Sequence, residues 1–482
     1  MAKATKPKTG APRARASLAP PSIITAMDDP ALFEPFFRGA SWDGWRAVLK
    51  AAYGLPMSEP EHAFFRTVAG DRAPPPARVR EMWCVVGRRG GKDAVASLIA
   101  ASAAALFDQS DRLRPGERAL VMCLACDRAQ ARIILNYIRS YFTDLPLLAG
   151  MVTRETAEGF ELSNGVDVAV ATNSFRAVRG RPILLAVLDE VAFWRDENTA
   201  KPDEELYRAI TPAMATLSNS MIIGISSPYR KSGLLYKKFK SHFGNDGDVL
   251  VIQAPTRTLN PTIPQEIIDR ALAEDPAAAS AEWMGEFRDD IGGWLPLEVI
   301  ESAVDQGVTI RPPHRMNVYR SFCDPSGARG DSFTCAIAHE EFGSAVLDCL
   351  IEIKPPFNPM EAIAQIARTL REYGLSETTG DRYAAEFNVA AFASCGITYR
   401  NSPRDRSAIY QDVLPLFTSG RVRLLDSRRL VSQFAALERH TSSVGRDRID
   451  HGPGGHDDLC NSAAGALITA SAADRRPQLL FG

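Results

Sequence analysis

The run Gly87-Arg88-Arg89-Gly90-Gly91-Lys92-Asp93 has the residue types that close around phosphate oxygens. Glycines let backbone N–H groups approach an anion, the start of a helix adds positive potential, and a lysine neutralises a β- or γ-phosphate. Two features depart from ordinary P-loop spacing: only residues 88–90 separate Gly87 from Gly91, and Asp93 stands where a Mg²⁺-binding Ser or Thr is usual. A phosphate cradle also needs a metal-binding acid at the end of a neighbouring strand. The apolar run Ile183-Leu184-Leu185-Ala186-Val187-Leu188 ends in Asp189-Glu190. Asp189 is the candidate for Mg²⁺, and Glu190 for orienting and activating the water that attacks a γ-phosphate. A guanidinium from Arg88 or Arg89 could reach that phosphate as an arginine finger supplied in cis, the plainer alternative being that both face DNA or solvent. A further apolar run, Ile222-Ile223-Gly224-Ile225, ends in Ser226-Ser227-Pro228, hydroxyls suited to sensing a γ-phosphate beside the acid-bearing strand.

A second constellation consists of carboxylates. Asp324 closes an apolar run and precedes the turn Pro325-Ser326-Gly327, with Asp331 opening the next strand; Asp381 follows Thr378-Thr379-Gly380; Asp457-Asp458 follows a glycine-rich loop and opens a helix. Each alone is an ordinary cap or turn residue. Together, at element ends far apart in sequence, they suit two Mg²⁺ or Mn²⁺ ions about 3.5–4 Å apart for phosphodiester cleavage. His451 and His456 flank the last pair and are candidates for an occasional metal ligand or proton shuttle, or for an ordinary loop surface.

The elements that must position these residues follow from periodicity. From about 81 to 255, short apolar runs at 83–86, 118–125, 167–171, 183–188, 221–226 and 248–253 alternate with helical patterns such as 94–107 and 128–143, which predicts a mostly parallel sheet with covered faces. Residues 256–310, broken by prolines, read as a linker or connecting subdomain. Runs at 317–323, 333–339 and 345–353 predict an antiparallel meander, followed by helical patterns at 360–373 and 458–471. Residues 1–30 read as a disordered arm, with Lys3, Lys6, Lys8, Arg13 and Arg15 and no acid before Asp28.

Bulk properties narrow the classes. A chain of 482 residues has room for at least two cores. Its formal charge of −2 excludes any argument from a globally basic protein, leaving nucleic-acid binding to local surfaces. The absence of a signal-peptide core or a membrane-length apolar stretch predicts a cytoplasmic protein. Eight scattered cysteines read as reduced core thiols; Cys123 and Cys126 have zinc-like spacing but no second pair follows.

In this order the motifs resemble the large terminase subunit of tailed bacteriophages. The resemblance runs from about residue 40 to 472 and is carried by Gly87–Asp93, Cys123–Ala131, Arg179-Gly180, Ile183–Glu190, Gly224–Pro228, Asn260-Pro261, Gly285-Glu286-Phe287, Asp324, Asp381 and His456-Asp457-Asp458. It implies an α/β chain with a P-loop, ASCE-type ATPase domain over 31–255 and an RNase H-like nuclease domain over 311–482. Lys92 would bind β/γ-phosphate, Arg88 would be the cis finger, Asp189 would serve Mg²⁺ and Glu190 would be the base. Ser226 and Ser227 would couple hydrolysis to movement. Asp324, Asp381 and one or both of Asp457 and Asp458 would hold the nuclease metals. The implied activity is ATP-driven translocation of double-stranded DNA into a procapsid and metal-dependent cutting of concatemers. The implied partners are a small terminase subunit, a portal and a ring of usually five copies in the host cytoplasm. A helicase-nuclease of repair or defence, and an inactive DNA-binding scaffold, are the rival readings.

Overall fold

The structure, a computed structural model, describes residues 20–106, 113–172, 180–196, 199–326, 330–382, 385–441 and 447–473. The fold is α/β, with an eight-stranded, mostly parallel sheet in the first half of the chain and a six-stranded mixed sheet in the second. Strands β1 (Glu81–Val86), β2 (Ala119–Ala125), β3 (Val152–Thr156), β4 (Gly159–Leu162), β5 (Val166–Thr172), β6 (Ile183–Asp189), β7 (Met221–Ser226) and β8 (Val249–Ala254) form the first sheet. Its order is β3-β4-β5-β2-β6-β7-β1-β8. From β5 to β8 every pairing is parallel. The predicted apolar runs are therefore the central strands, buried on both faces as parallel strands require. β7 lies between β1 and β6, so its terminal serines stand between the phosphate loop and Asp189-Glu190.

The hairpin β3–β4 pairs antiparallel on the β5 edge. Its exposed first strand, with Arg154 and Glu155, has no apolar pattern to announce it.

The expected disordered arm does not extend to residue 30. Ser22 caps a helix, Ile23–Asp28, accepting from the Thr25 N–H at 3.1 Å, and Ile23, Ala26 and Met27 are buried in the first core. Those three apolar residues at helical spacing outweigh the disorder-prone composition around them. The basic residues Lys3 to Arg15 lie outside the described residues, as does Arg179 of the quoted motif.

The remaining strands are β9 (Ile291–Gly293), β10 (Tyr319–Asp324), β11 (Phe333–Glu341), β12 (Ser344–Ile353), β13 (Glu377–Gly380), β14 (Thr398–Asn401), β15 (Val422–Arg423), β16 (Leu437–Thr441) and β17 (Asp447–His451). Six form a sheet ordered β14-β13-β10-β11-β12-β15. The meander β10-β11-β12 is antiparallel as expected, and β13 joins β10 in parallel. A small sheet, β17-β16-β9, sits apart. Because β9 pairs with β16, and Trp294, Leu295 and Ile300 pack with Tyr410 and Phe434, residues 291–302 of the expected connecting segment are built into the second core.

Six of the eight cysteines are buried and all are free thiols; Cys123 lies inside β2 and Cys126 donates to Asp127 at 3.6 Å. Among the described residues no helix is long and apolar enough to cross a membrane.

The helix Asp458–Ala473 crosses β10, β11 and β12. Gly465 lets it approach: a Cβ there would lie 2.3 Å from the Phe322 ring of β10. That approach brings the helix's first acids beside Asp324. Gly465→Ala should destabilise the protein by about 1–3 kcal/mol, because a close-packed interface cannot absorb an added methyl without shifting. The check is the urea midpoint of the C-terminal transition, and an unchanged midpoint would show that the contact is not tight.

Candidate functional site

The first site forms at the C-terminal edge of the parallel sheet. Between β1 and the helix Lys92–Leu106 the chain turns through Arg89 and Gly91 at φ 61° and 89°. Gly90 is packed so closely that a Cβ would lie 2.5 Å from Val86 Cγ1. Three carbonyls of the loop are held from outside the cleft. Thr256 Oγ1 donates to Arg88 O (2.8 Å), Asn260 Nδ2 to Arg89 O (2.7 Å) and Trp45 Nε1 to Gly90 O (2.8 Å). Fixing these carbonyls fixes the peptide planes, and the first N–H groups of the helix have no partner within it. A loop so anchored is ready for an anion.

Lys92 is 5 % exposed, and its Nζ lies 2.9 Å from Glu190 Oε1 and 3.9 Å from Asp93 Oδ1. Burial alone would lower its pKa, but Glu190, Asp93 and Asp189 together outweigh that and raise it. Glu190 follows β6 in the left-handed region (φ 47°), uncommon for a non-glycine residue. Its Oε2 accepts from Ser226 Oγ at 3.0 Å and from the Ser227 N–H at 3.3 Å. Lys92, Glu190, Ser226 and Ser227 are thus one connected group.

Asp189 is buried; its Oδ2 accepts from Gln130 Nε2 at 3.1 Å and its backbone carbonyl from Trp194 Nε1 at 2.7 Å. Burial first, then the charges of Asp93 and Glu190, push its pKa up to about 7. Burial likewise raises that of Asp93, partly offset by Lys92. Asp189 Oδ1 and Asp93 Oδ1 are both buried without a hydrogen-bond partner. Two carboxylates with orphaned oxygens, the charge of one acting on the other, fit a hard divalent cation, which prefers oxygen ligands. Asp93 therefore belongs to the same acid pair as Asp189.

These groups open into a cleft of about 1150 Å³, lined also by Arg88, Arg89, Ile133 and Tyr137. Arg88 sits on its rim, Nη2 3.2 Å from Glu282 Oε1. Arg448, His451 and Pro453, from the second half of the chain, form the far wall. Sequence reasoning missed Trp45, Thr256 and Gln130, which act on backbone carbonyls or through one amide; Asn260 was visible only as an Asn-Pro pair.

The second site gathers the remaining acids. Asp324 ends β10, and the Asp381 N–H donates to Cys323 O at 3.1 Å, so both lie where the parallel pair β10/β13 ends. Asn461 Nδ2, one turn into the last helix, donates to Asp324 Oδ2 at 2.8 Å. Burial, with Asp457 and Asp458 adding to it against the pull of Arg406 and Asn461, raises the pKa of Asp324 well above the carboxylate range.

Asp458 accepts from the Ser332 N–H at 3.0 Å, and its pKa is pushed up to about 6, by burial first and also by Asp331 and Asp457. Asp331, His456 and Asp458 each offer a ligand atom within 4.8 Å of the others, and His456 Nδ1 lies 3.2 Å from Asp331 Oδ1. This oxygen-rich donor set with one imidazole fits Mg²⁺ or Mn²⁺. In the sequence Asp331 reads only as a strand opener. Asp324 and Asp381 lie outside that tight group, and Asp457 has both oxygens engaged: Oδ1 by Arg406 Nη1 (2.8 Å) and Oδ2 by the Tyr410 hydroxyl (3.0 Å). His451 faces the first cleft instead.

No family model and no curated relative matches the chain. It is similar to the solved large terminase of bacteriophage HK97 (16% identity over 89% of this chain and 99% of that one, TM-score 0.38). It is also similar to a solved large terminase from a thermophilic bacteriophage (11% identity over 90% and 99%, TM-score 0.39) and to the large terminase nuclease of the thermophilic phage G20c (15% identity over 35% and 95%, TM-score 0.31).

In the first site Lys92 faces Glu190, Asp93 and Asp189. Lys92→Met should destabilise the nucleotide-free protein by about 3 kcal/mol, the cost of leaving buried acids without their cation. Urea denaturation checks this, and an unchanged midpoint would mean that other groups balance those acids.

Proposed function

We propose that the chain is a terminase large subunit, an ATP-driven motor that moves double-stranded DNA and a metal-dependent endonuclease that cuts it. The observation that carries this reading is the presence on one chain of two phosphate-chemistry sites. One is the lysine–glutamate–serine group beside an orphaned acid pair; the other is an acid and histidine cluster formed by loops and a helix start beside the second sheet. The half carrying the parallel sheet is the motor and the half carrying β10–β15 the nuclease.

In the motor, the anchored loop and Lys92 hold the β- and γ-phosphates of ATP. Asp189 and Asp93 would hold Mg²⁺, which would supply shielding of the phosphate charge. Glu190 is tethered to Lys92 in the absence of nucleotide. When phosphate oxygens take over the lysine, Glu190 Oε1 is released to accept a proton from water as its oxygen bonds to the γ-phosphorus and the bridging P–O bond breaks, leaving ADP and phosphate. Ser226 and Ser227 hold the other oxygen of the same carboxylate, so a change at the γ-phosphate is felt by β7 and the segment after it. Arg88, on the rim, serves as the cis finger by exchanging Glu282 for the γ-phosphate.

In the nuclease, Asp458, Asp331 and His456, with Asp324 and Asp381 beside them, would hold divalent ions, two in number, whose chemistry would be activation of water and charge stabilisation at the leaving oxygen. DNA contacts are made chiefly to phosphate, so binding weakens steeply with salt and varies little with base sequence. Site choice then falls to a small terminase subunit, and work on a procapsid requires docking on its portal as a ring of five copies in the host cytoplasm.

Purified wild type should hydrolyse ATP and cleave plasmid DNA with Mn²⁺. Glu190→Gln should cut ATP turnover by at least about 100-fold while nucleotide binding persists, and Asp324→Ala should abolish cleavage while leaving ATPase intact. Cleavage by Asp324→Ala overturns the nuclease assignment, and unwinding of a forked duplex by the isolated protein favours a helicase-nuclease instead. Asp93→Thr should raise, several-fold, the Mg²⁺ concentration for half-maximal ATPase; an unshifted curve removes Asp93 from the metal's ligands.

A further inference from the structure

A guanidinium is built into the nuclease acids. Arg406 is the first residue of the helix Arg406–Thr418, whose start is fixed by the Asp405 side chain accepting from the Ala408 N–H at 2.8 Å. Arg406 and Tyr410, four residues apart, lie on one face of that helix. Between them they take both oxygens of Asp457, Nη1 at 2.8 Å and the phenol at 3.0 Å. Asp457 is buried to 1 % exposure, so this clamp is the polar environment of its carboxylate among the described contacts. A divalent ion on Asp457 would have to share Oδ1 with the guanidinium or Oδ2 with the Tyr410 hydroxyl, and on either oxygen it would sit close to a fixed positive charge, which repulsion disfavours. Asp457 therefore differs from its neighbour Asp458, which stands with Asp331 and His456 in the ligand group.

The guanidinium is not sealed in. Its side chain is 35 % exposed and lines a crevice of about 450 Å³ together with Arg448, Ser407 and the acids Asp405, Asp447 and Asp450. Arginine carries five N–H donors in a planar fork, of which Asp457 uses one here, and that fork matches two oxygens of a phosphate. Asp324 and Asp381 also act on Arg406, holding its proton more tightly against the opposing effect of burial. A phosphodiester approaching this cluster meets several carboxylates, and Arg406 is a fixed positive charge placed among them.

We infer that Arg406 is a catalytic residue that grips the scissile phosphate of DNA, and that Asp457 is its positioning carboxylate rather than a metal ligand. The inference rests on the nuclease reading above. Water still adds to phosphorus and the ester P–O bond still breaks; Arg406 neutralises the extra negative charge on the non-bridging oxygens as that happens.

The test uses the full chain. In an Asp189→Asn background, so that only ions of the second site count, Mn²⁺ binding is measured by calorimetry. Asp457→Asn should change the affinity by less than about tenfold and Asp458→Asn should weaken it by more than about tenfold, the scale on which loss of metal support is felt. For plasmid cleavage, Arg406→Gln should lower the rate by about 100-fold, as removal of one preorganised donor does, and Arg406→Lys should recover part of that loss. Asp457→Asn added to Arg406→Gln should cost little more, because the two act as one unit. Methylguanidinium should restore cleavage to Arg406→Ala, which separates a lost charge from a lost fold. With Ca²⁺ in place of Mn²⁺, Arg406→Gln should bind a short duplex more weakly in fluorescence anisotropy. Cleavage by Arg406→Gln at the wild-type rate, multiplying effects in the double variant, or loss of Mn²⁺ binding in Asp457→Asn overturns the inference. Failure of the wild type to cleave at all overturns the nuclease reading itself.

Discussion

Concentrated negative charge at the ends of strands is the constraint on which the rest of this molecule depends. Asp93, Asp189 and Glu190 crowd one sheet edge, and Asp324, Asp381, Asp457 and Asp458 the other. An isolated buried carboxylate is costly, so each cluster needs positive charge. Lys92 supplies it in the first cluster, bonded to Glu190 at 2.9 Å, and Arg406 in the second, bonded to Asp457 at 2.8 Å. In both, desolvation still raises the carboxylates' pKa values, to about 7 at Asp189 and about 6 at Asp458. In each cluster burial is the largest cause of that rise and the neighbouring carboxylates add to it.

The two sheets bring these buried charges together at strand ends, where other polar groups can reach them. In the first sheet, parallel pairing sends the ends of β1, β6 and β7 to one edge, and the position of β7 puts Ser226 and Ser227 against Glu190. In the second, β10 and β13 run parallel, so Asp324 and Asp381 emerge side by side, and Gly465 lets the last helix deliver Asp457, Asp458 and Asn461 to the same place. The cost of that close approach is a helix interior glycine, worth roughly 1 kcal/mol of helix stability relative to alanine.

How much of this was legible in the sequence depended on whether a feature had its own pattern. Central parallel strands announce themselves because both faces are buried, and Ile183–Leu188 is apolar throughout. β13, Glu377-Thr378-Thr379-Gly380, is short and polar and owes its existence to neighbours on both sides. The loop and the acids were readable from residue type. The grouping of Asp331 with His456 was not, since 125 residues separate them. Arg406 drew no reading from the sequence, because nothing in its spacing points to Asp457. Thr256, Asn260 and Trp45 hold backbone carbonyls, and contacts to backbone leave no residue-specific signature. The ordered helix Ile23–Asp28 was hidden by its proline- and alanine-rich surroundings.

One buried carboxylate belongs to neither cluster and joins the two halves. Glu438 of β16 is fully buried and accepts from Arg195 Nη2 and from the Tyr229 hydroxyl, each at 2.7 Å. Tyr229 stands two residues beyond Ser227, and Arg195 five beyond Glu190. On its other side, β16 pairs with β17, placing Glu438 opposite Asp450, and the chain then runs through Gly452 to His456 and Asp458. Gly452 is packed so tightly on Arg195 and Glu438 that a Cβ would lie 2.2 Å from Arg195 Nη2. Separating the halves at this point would strand a buried charge, which is far more costly than breaking an exposed ion pair. The segment that follows the serines and the segment that leads to the second cluster thus meet on one buried carboxylate, with Ser432 Oγ donating to Asp196 O at 2.9 Å as a second link between the halves.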